Sequence, residues 1–219
     1  MDVGEARARA ARSSATVMVL VGAVCGLAWA AAFRAWMAEI AGGASRVDWY
    51  GTFVGVLAAG VIVGALLGLA EHFRRTGGRR HWRWLALAPL AFAILPMTAP
   101  GALLTLVTEG LGGGAIGVAL AAIAGGFAIS GLGPLWARIL CGVIALSMIA
   151  GVVLATPAVG GIRFALDQPR GAWAATLGAA CVVVLCLATS IPFRRVEAVA
   201  DTTSGATIVR DSSAQVKNR

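Results

Sequence analysis

Residues 13–33 read SSATVMVLVGAVCGLAWAAAF, 21 consecutive positions without a charged side chain. A helix needs about 20 apolar residues to cross a bilayer core about 30 Å thick, so this stretch is long enough to span by itself. Working outward from it, further uncharged runs lie at about 49–70, 84–103, 111–131, 136–156 and 171–193. The expected fold class is all-α: a polytopic transmembrane helix bundle of six spans, with 15–33 as the first. A secretory signal also pairs an arginine-bearing start with an apolar stretch, but its apolar core is only about 7–15 residues long. The run reads as a retained span.

Composition leaves little else. Hydrophobic residues make up 59% of the 219 and charged residues 13%, against about 25% charged in a soluble domain. Mean hydropathy is +0.85. The expected organisation is a cytoplasmic segment 1–14, a six-helix transmembrane domain 15–193, and a polar, Thr/Ser-rich cytoplasmic tail 194–219 with no apolar period, which reads as disordered. The net charge of +8 does not imply nucleic acid, because the arginines stand at the ends of apolar runs and not along one groove.

Those arginines set the expected orientation. With the N-terminus inside, 14 basic residues fall on the cytoplasmic side and four, Arg34, Arg46, Arg163 and Arg170, fall outside. Cytoplasmic loops carry the excess of Lys and Arg, so both termini are expected in the cytoplasm. Tryptophans favour both membrane boundaries; Trp36, Trp49 and Trp173 would mark the outer one, and Trp82, Trp84 and Trp136 the inner one. Lys217 is the only lysine, a bias that, with the Ala/Gly/Val-rich spans, points to a GC-rich bacterial genome and hence to a bacterial cytoplasmic membrane.

Small residues recur every fourth position: Gly60, Gly64 and Gly68 in the second run; Gly113, Gly117, Ala121 and Gly125 in the fourth; Gly22, Gly26 and Ala30 in the first. Such stripes let helix backbones approach closely in lipid. Gly60, Gly64, Gly68, Gly113, Gly117 and Gly125 are therefore the expected packing positions. The second and fourth spans are expected at the bundle centre, unless one stripe faces a second protomer.

The candidate polar sites are few. Arg34, Glu39, Arg46 and Asp48 lie in the first outer segment and would line the mouth of any pathway, since charge at membrane depth is costly and often functional. The structural reading of the same residues has Arg34 snorkelling to water and Asp48 capping the second span. Glu109 is the only ionisable residue between Arg83 and Arg138. It is a proton or cation site if 97–110 dips into the membrane, and solvated if that segment is an ordinary loop. Arg74, Arg75, Arg79, Arg80 and Arg83 form a juxtamembrane cluster able to hold anionic lipid headgroups. Cys25, Cys141, Cys181 and Cys186 have no metal-ligand spacing, and His72 and His81 lack a supporting ligand set. No metal, cofactor or catalytic residue is expected. The hydroxyls within the spans are too sparse to suggest an enzyme.

Arg34-Ala35-Trp36-Met37, followed about a dozen residues later by Trp49-Tyr50-Gly51-Thr52, resembles a pattern in uncharacterised bacterial multi-span membrane proteins. The resemblance covers this hairpin, about a tenth of the chain, and implies an architecture and no chemistry. The expected function is that of a structural or accessory membrane protein. It would work against the lipid bilayer, anionic lipids, and a second copy or another membrane protein. The alternative is a small channel or transporter for an uncharged or passively moving solute.

Overall fold

Nothing interrupts the first helix where its uncharged run ends. In the computed structural model, which describes residues 3–98 and 113–196, helix α1, Val3–Ala41, is 39 residues long. That is about 58 Å of rise, nearly twice a bilayer core. Residues 3–14 are thus continuous with the first span. Arg34 and Glu39, expected in a loop, ride on the last turns of the helix instead, because Ala35, Met37, Ala38 and Glu39 are good helix formers. Gly42, with φ +52, ends it in the left-handed conformation that glycine adopts without strain.

The second helix opens at Asp48, whose carboxylate accepts from the Gly51 N–H at 2.6 Å. It winds first as wide π turns over Trp49–Ala58 and then as α2, Ala59–Arg75. Gly77, Gly78 and His81, all with positive φ, turn the chain into a tight 3-10 stretch, Trp82–Leu90, followed by α3, Ala91–Met97. The remaining α-helices among the described residues are α4, Gly113–Ile129, α5, Leu135–Gly160, and α6, Pro169–Thr189. Gly131 and Gly133 have positive φ, and Pro134 precedes α5, so the chain turns at 131–134, between the uncharged runs 111–131 and 136–156.

Among the described residues, four stretches are long and apolar enough to cross a membrane: Ser14–Ala44, Trp49–Arg75, Leu135–Phe164 and Pro169–Phe193. Of the six spans expected, these are the four that reach full spanning length among the described residues. The third and fourth, 84–103 and 111–131, are the shorter apolar helices Trp82–Met97 and Gly114–Ile129. Pro89 and Pro96 lie inside the first of these, and each removes one N–H from its helical hydrogen bonding. Residues 99–112, which hold the rest of both expected spans and Glu109, lie outside the described residues, as does 197–219 of the expected tail.

Backbone proximity organises the bundle. A Cβ on Gly64 would run into the Gly22 carbonyl and sit 2.9 Å from the Gly26 Cα; one on Gly68 would meet the Met18 carbonyl, and one on Gly60 would meet Ala30 and Gly26. The stripe of α2 is therefore filled by the stripe of α1, and not by α4. The α4 stripe turns to α5 and α6: Gly117 faces Met148, and Gly125 faces Cys186 and Ala145. Helices in lipid lack a hydrophobic driving force toward each other and are held by such close van der Waals contact. The large apolar side chains point the other way. Leu135, Trp136, Ile139, Leu140 and Leu146 of α5 are more than half exposed. Only 6% of the most apolar window of the first span is buried. An apolar surface of that extent is stable only against lipid or another apolar surface.

Candidate functional site

The polar residues gather at the two ends of the bundle. Arg74, Arg75, Arg79, Arg80, Arg83, Arg138, Arg194 and Arg195 lie at one end together with Glu71; Arg34, Arg46, Arg163 and Arg170 lie at the other with Glu39, Asp48 and Asp167.

At the carboxylate-bearing end the expected mouth residues are tied into the scaffold. Arg34 donates to the Arg46 carbonyl at 2.6 Å, to Ser45 Oγ at 3.2 Å and to Thr52 Oγ1 at 3.4 Å. One guanidinium thus holds the whole 45–52 connection, while Arg46 contributes its backbone. Glu39 accepts from Arg170 Nε at 2.9 Å, pinning the end of α1 to the start of α6, and the Arg170 guanidinium also covers the Phe164 ring at 5.1 Å. Both side chains of the pair are about half exposed, so it contributes less than about 1 kcal/mol. Asp48 is the cap already described. These residues do not converge on an opening.

Arg34 carries the first expected outcome. Arg34→Gln should lower stability by about 2 kcal/mol, because hydrogen bonds from a charged donor are worth about 1.5–3 kcal/mol. Arg34→Lys should recover only part of it, since one ammonium cannot reproduce the planar fork. Thermal unfolding of both variants in detergent checks this; an unchanged midpoint in Arg34→Gln rules out the role.

At the arginine-rich end Glu71 accepts from Arg74 at 2.7 and 2.9 Å and from Arg75 at 2.5 Å. The Arg79 guanidinium lies 5.5 Å over the Phe73 ring. Arg80 and Arg83 have no acidic partner among the described residues. Arg138 donates to the Ala128 carbonyl at 3.0 Å and braces the 131–134 turn. His72 is buried with Nδ1 unpartnered among the described residues, and His81 is exposed. No group of three His, Cys, Asp or Glu able to hold a metal occurs among the described residues.

Between the ends the interior is apolar. Its buried hydroxyls bond within their own helices: Thr156 to the Val152 carbonyl, Thr189 to Leu185 and Ser190 to Leu187. A cavity of about 400 Å³ lies among Trp29, Phe33, Trp36, Phe92, Val118 and Met148. A second, of about 270 Å³, lies along α1, α2 and α6. Trp29 separates the two and donates its indole N–H to the Cys181 carbonyl at 2.8 Å.

Two tryptophans expected at the membrane boundaries are packing residues instead. Trp36 and Trp82 are buried, whereas Trp49, Trp84, Trp136 and Trp173 are exposed. Trp36 is buried because Gly178 of α6 offers no side chain, its ideal Cβ position lying 2.7 Å from the indole. Sequence reasoning missed Gly178, the Trp29 bond and the Arg170 partner of Glu39. Each depends on a contact between residues more than 130 positions apart, and no local pattern marks it.

No protein-family model matches the chain, and comparison with curated proteins and with solved structures finds no match. The class rests on the chain itself: it is a helical membrane-spanning protein, an all-α bundle whose long apolar helices turn their large side chains outward.

Proposed function

We propose that this is a six-span protein of a bacterial cytoplasmic membrane, with both termini inside, that serves as an accessory component. It would bind a second copy of itself or another membrane protein, and would neither catalyse a reaction nor conduct solute. The observation that supports this reading is the apolar interior between the two ends, where the buried hydroxyls Thr156, Thr189 and Ser190 bond to carbonyls one turn back, while Arg34, Glu39 and Asp48 are engaged at the surface. A coupled carrier needs buried ionisable groups along its path.

Six spans are supported by the rise of the two short helices. Trp82–Met97 contains nine residues of 3-10 winding, and its total rise is about 28 Å. Gly113–Ile129 adds about 25 Å. Both approach the thickness of a bilayer core, which adapts to small mismatches. The arginine asymmetry between the ends supports the orientation. The near-exclusive use of arginine, and the resemblance of the first hairpin, support a bacterial source.

The test has two parts. In proteoliposomes, permeability to water, glycerol and monovalent cations should equal that of protein-free liposomes, and Glu109→Gln should change nothing. A protein-dependent flux would put the passive-channel reading first; its specific support is the cavity of about 400 Å³. For orientation, a membrane-impermeant maleimide on intact cells should label Ser45→Cys and should reach Thr76→Cys only after permeabilisation. The reverse pattern overturns the orientation.

A further inference from the structure

The cavity of about 270 Å³ joins an apolar groove to the arginine-rich end, and we propose that it is a binding site for one anionic phospholipid. One acyl chain would lie between α1 and α6 with the other in the surrounding bilayer, and the phosphate would lie among the arginines around Glu71. In the orientation proposed above, this is a lipid of the cytoplasmic leaflet.

The groove has a floor, two rims, a closed end and a charged mouth. Val63 and Leu67 of α2 form the floor and are almost fully buried, whereas the rim residues Val21 of α1 and Val184 of α6 are more than half exposed. Trp29 and Phe92, their rings 5.1 Å apart, close the inner end. From Met18 to Trp29 the groove follows α1 for about 17 Å, roughly half of a bilayer core about 30 Å thick. It is therefore one leaflet deep. About 270 Å³ along that length admits a single flexible chain, and not a helix about 10 Å across.

The headgroup assignment comes from the charge at the mouth. Glu71 lines the groove and holds Arg74 and Arg75 beside it; Arg75 is half exposed. Ile191 lines the same end, and the exposed Arg194 and Arg195 follow it. Val196 lies against Gly78, which brings that segment to the turn carrying Arg79 and Arg80. Cationic side chains at this depth attract anionic headgroups in preference to zwitterionic ones. Their arrangement above an apolar slot fits an amphiphile better than a free anion.

Native mass spectrometry of the full-length protein released from detergent tests the site. Phosphatidylglycerol and phosphatidylcholine with identical chains would be added at equal concentration, and inorganic phosphate would be added separately. One phosphatidylglycerol should be retained, roughly tenfold more than phosphatidylcholine, and phosphate alone should not be retained. Arg75→Gln combined with Arg194→Gln should remove the preference. Val184→Trp, which fills the slot from its lipid-facing rim, should remove retention of both lipids while the protein stays monodisperse.

Equal retention of the two lipids by the natural protein, retention of phosphate alone, or full retention by Val184→Trp overturns the proposal. Should Val184→Trp fail to fold, the natural protein still decides. Cys25 lies exposed in the groove whereas Cys181 and Cys186 are buried. Phosphatidylglycerol should therefore slow maleimide labelling of Cys25 and leave Cys141 unaffected; an unslowed reaction overturns the site. These readouts do not depend on which way the protein faces, so they fail independently of the orientation assay.

Discussion

Replacing Gly64 by leucine should abolish the folded protein. Any Cβ at this position runs into the Gly22 carbonyl and comes within 2.9 Å of the Gly26 Cα. Both obstacles are helix backbone, which cannot rotate aside as a side chain can. Overpacking a well-packed core costs about 1–3 kcal/mol when side chains can adjust. Here α1 and α2 must separate along the stripe that joins them. Gly64→Ala should already lower stability by about 2–3 kcal/mol, and Gly64→Leu should leave no monodisperse protein in detergent.

Gly151→Ala is the control. It also lies mid-helix, in α5, but a Cβ there meets nothing within 4 Å. It should be neutral or stabilising by up to about 1 kcal/mol, because alanine is the better helix former. If both alanine variants unfold at the temperature of the natural protein, the α1–α2 contact is not what holds this half of the bundle.

Removing the Trp29 side chain should have the next largest effect. Trp29 stacks on Phe33 with centroids 5.2 Å apart, tilts against Phe92, and donates to the Cys181 carbonyl on α6. It belongs to the layer where α1, α3 and α6 meet. Trp29→Ala should cost about 3 kcal/mol, at the lower end for a buried aromatic because the ring is only half buried. Trp29→Phe keeps most of the packing and loses the hydrogen bond, about 1 kcal/mol. The measurement is the thermal midpoint in detergent for the natural protein and both variants. The reading fails if Trp29→Phe is as damaged as Trp29→Ala, or if neither shifts.

These expectations show how far local pattern carries. Class and the long apolar helices were legible because a bilayer imposes length and apolarity on every span, and both are properties of contiguous residues. The gap between the runs 111–131 and 136–156 was legible, and it is a turn because glycine and proline act on their own backbone. The boundaries were less so. Arg34 and Glu39 were placed in a loop because charge marks the edge of the membrane, yet charge does not end a helix, and α1 continues through Ala41.

The candidate polar residues were found, but not their roles. That Arg34 would bridge to the Arg46 carbonyl and Glu39 to Arg170 depends on the approach of separate segments. The partner of the Gly60-Gly64-Gly68 stripe was undecided for the same reason: three helices carried similar stripes, and spacing alone does not say which faces which.

The sequence by itself determined that this chain is helical, apolar and membrane-spanning, and that its charge stands at the ends of the apolar runs and beyond them. Each of these follows from neighbours along the chain and from the solvent around it. Only the tertiary structure decided that α1 and α2 close on each other through backbone contact, that Trp36 is buried against Gly178, and that a one-leaflet groove opens beside the arginines. Those features arise where helices distant in sequence meet, and their shapes are set by which side chains are missing from the contact as much as by which are present.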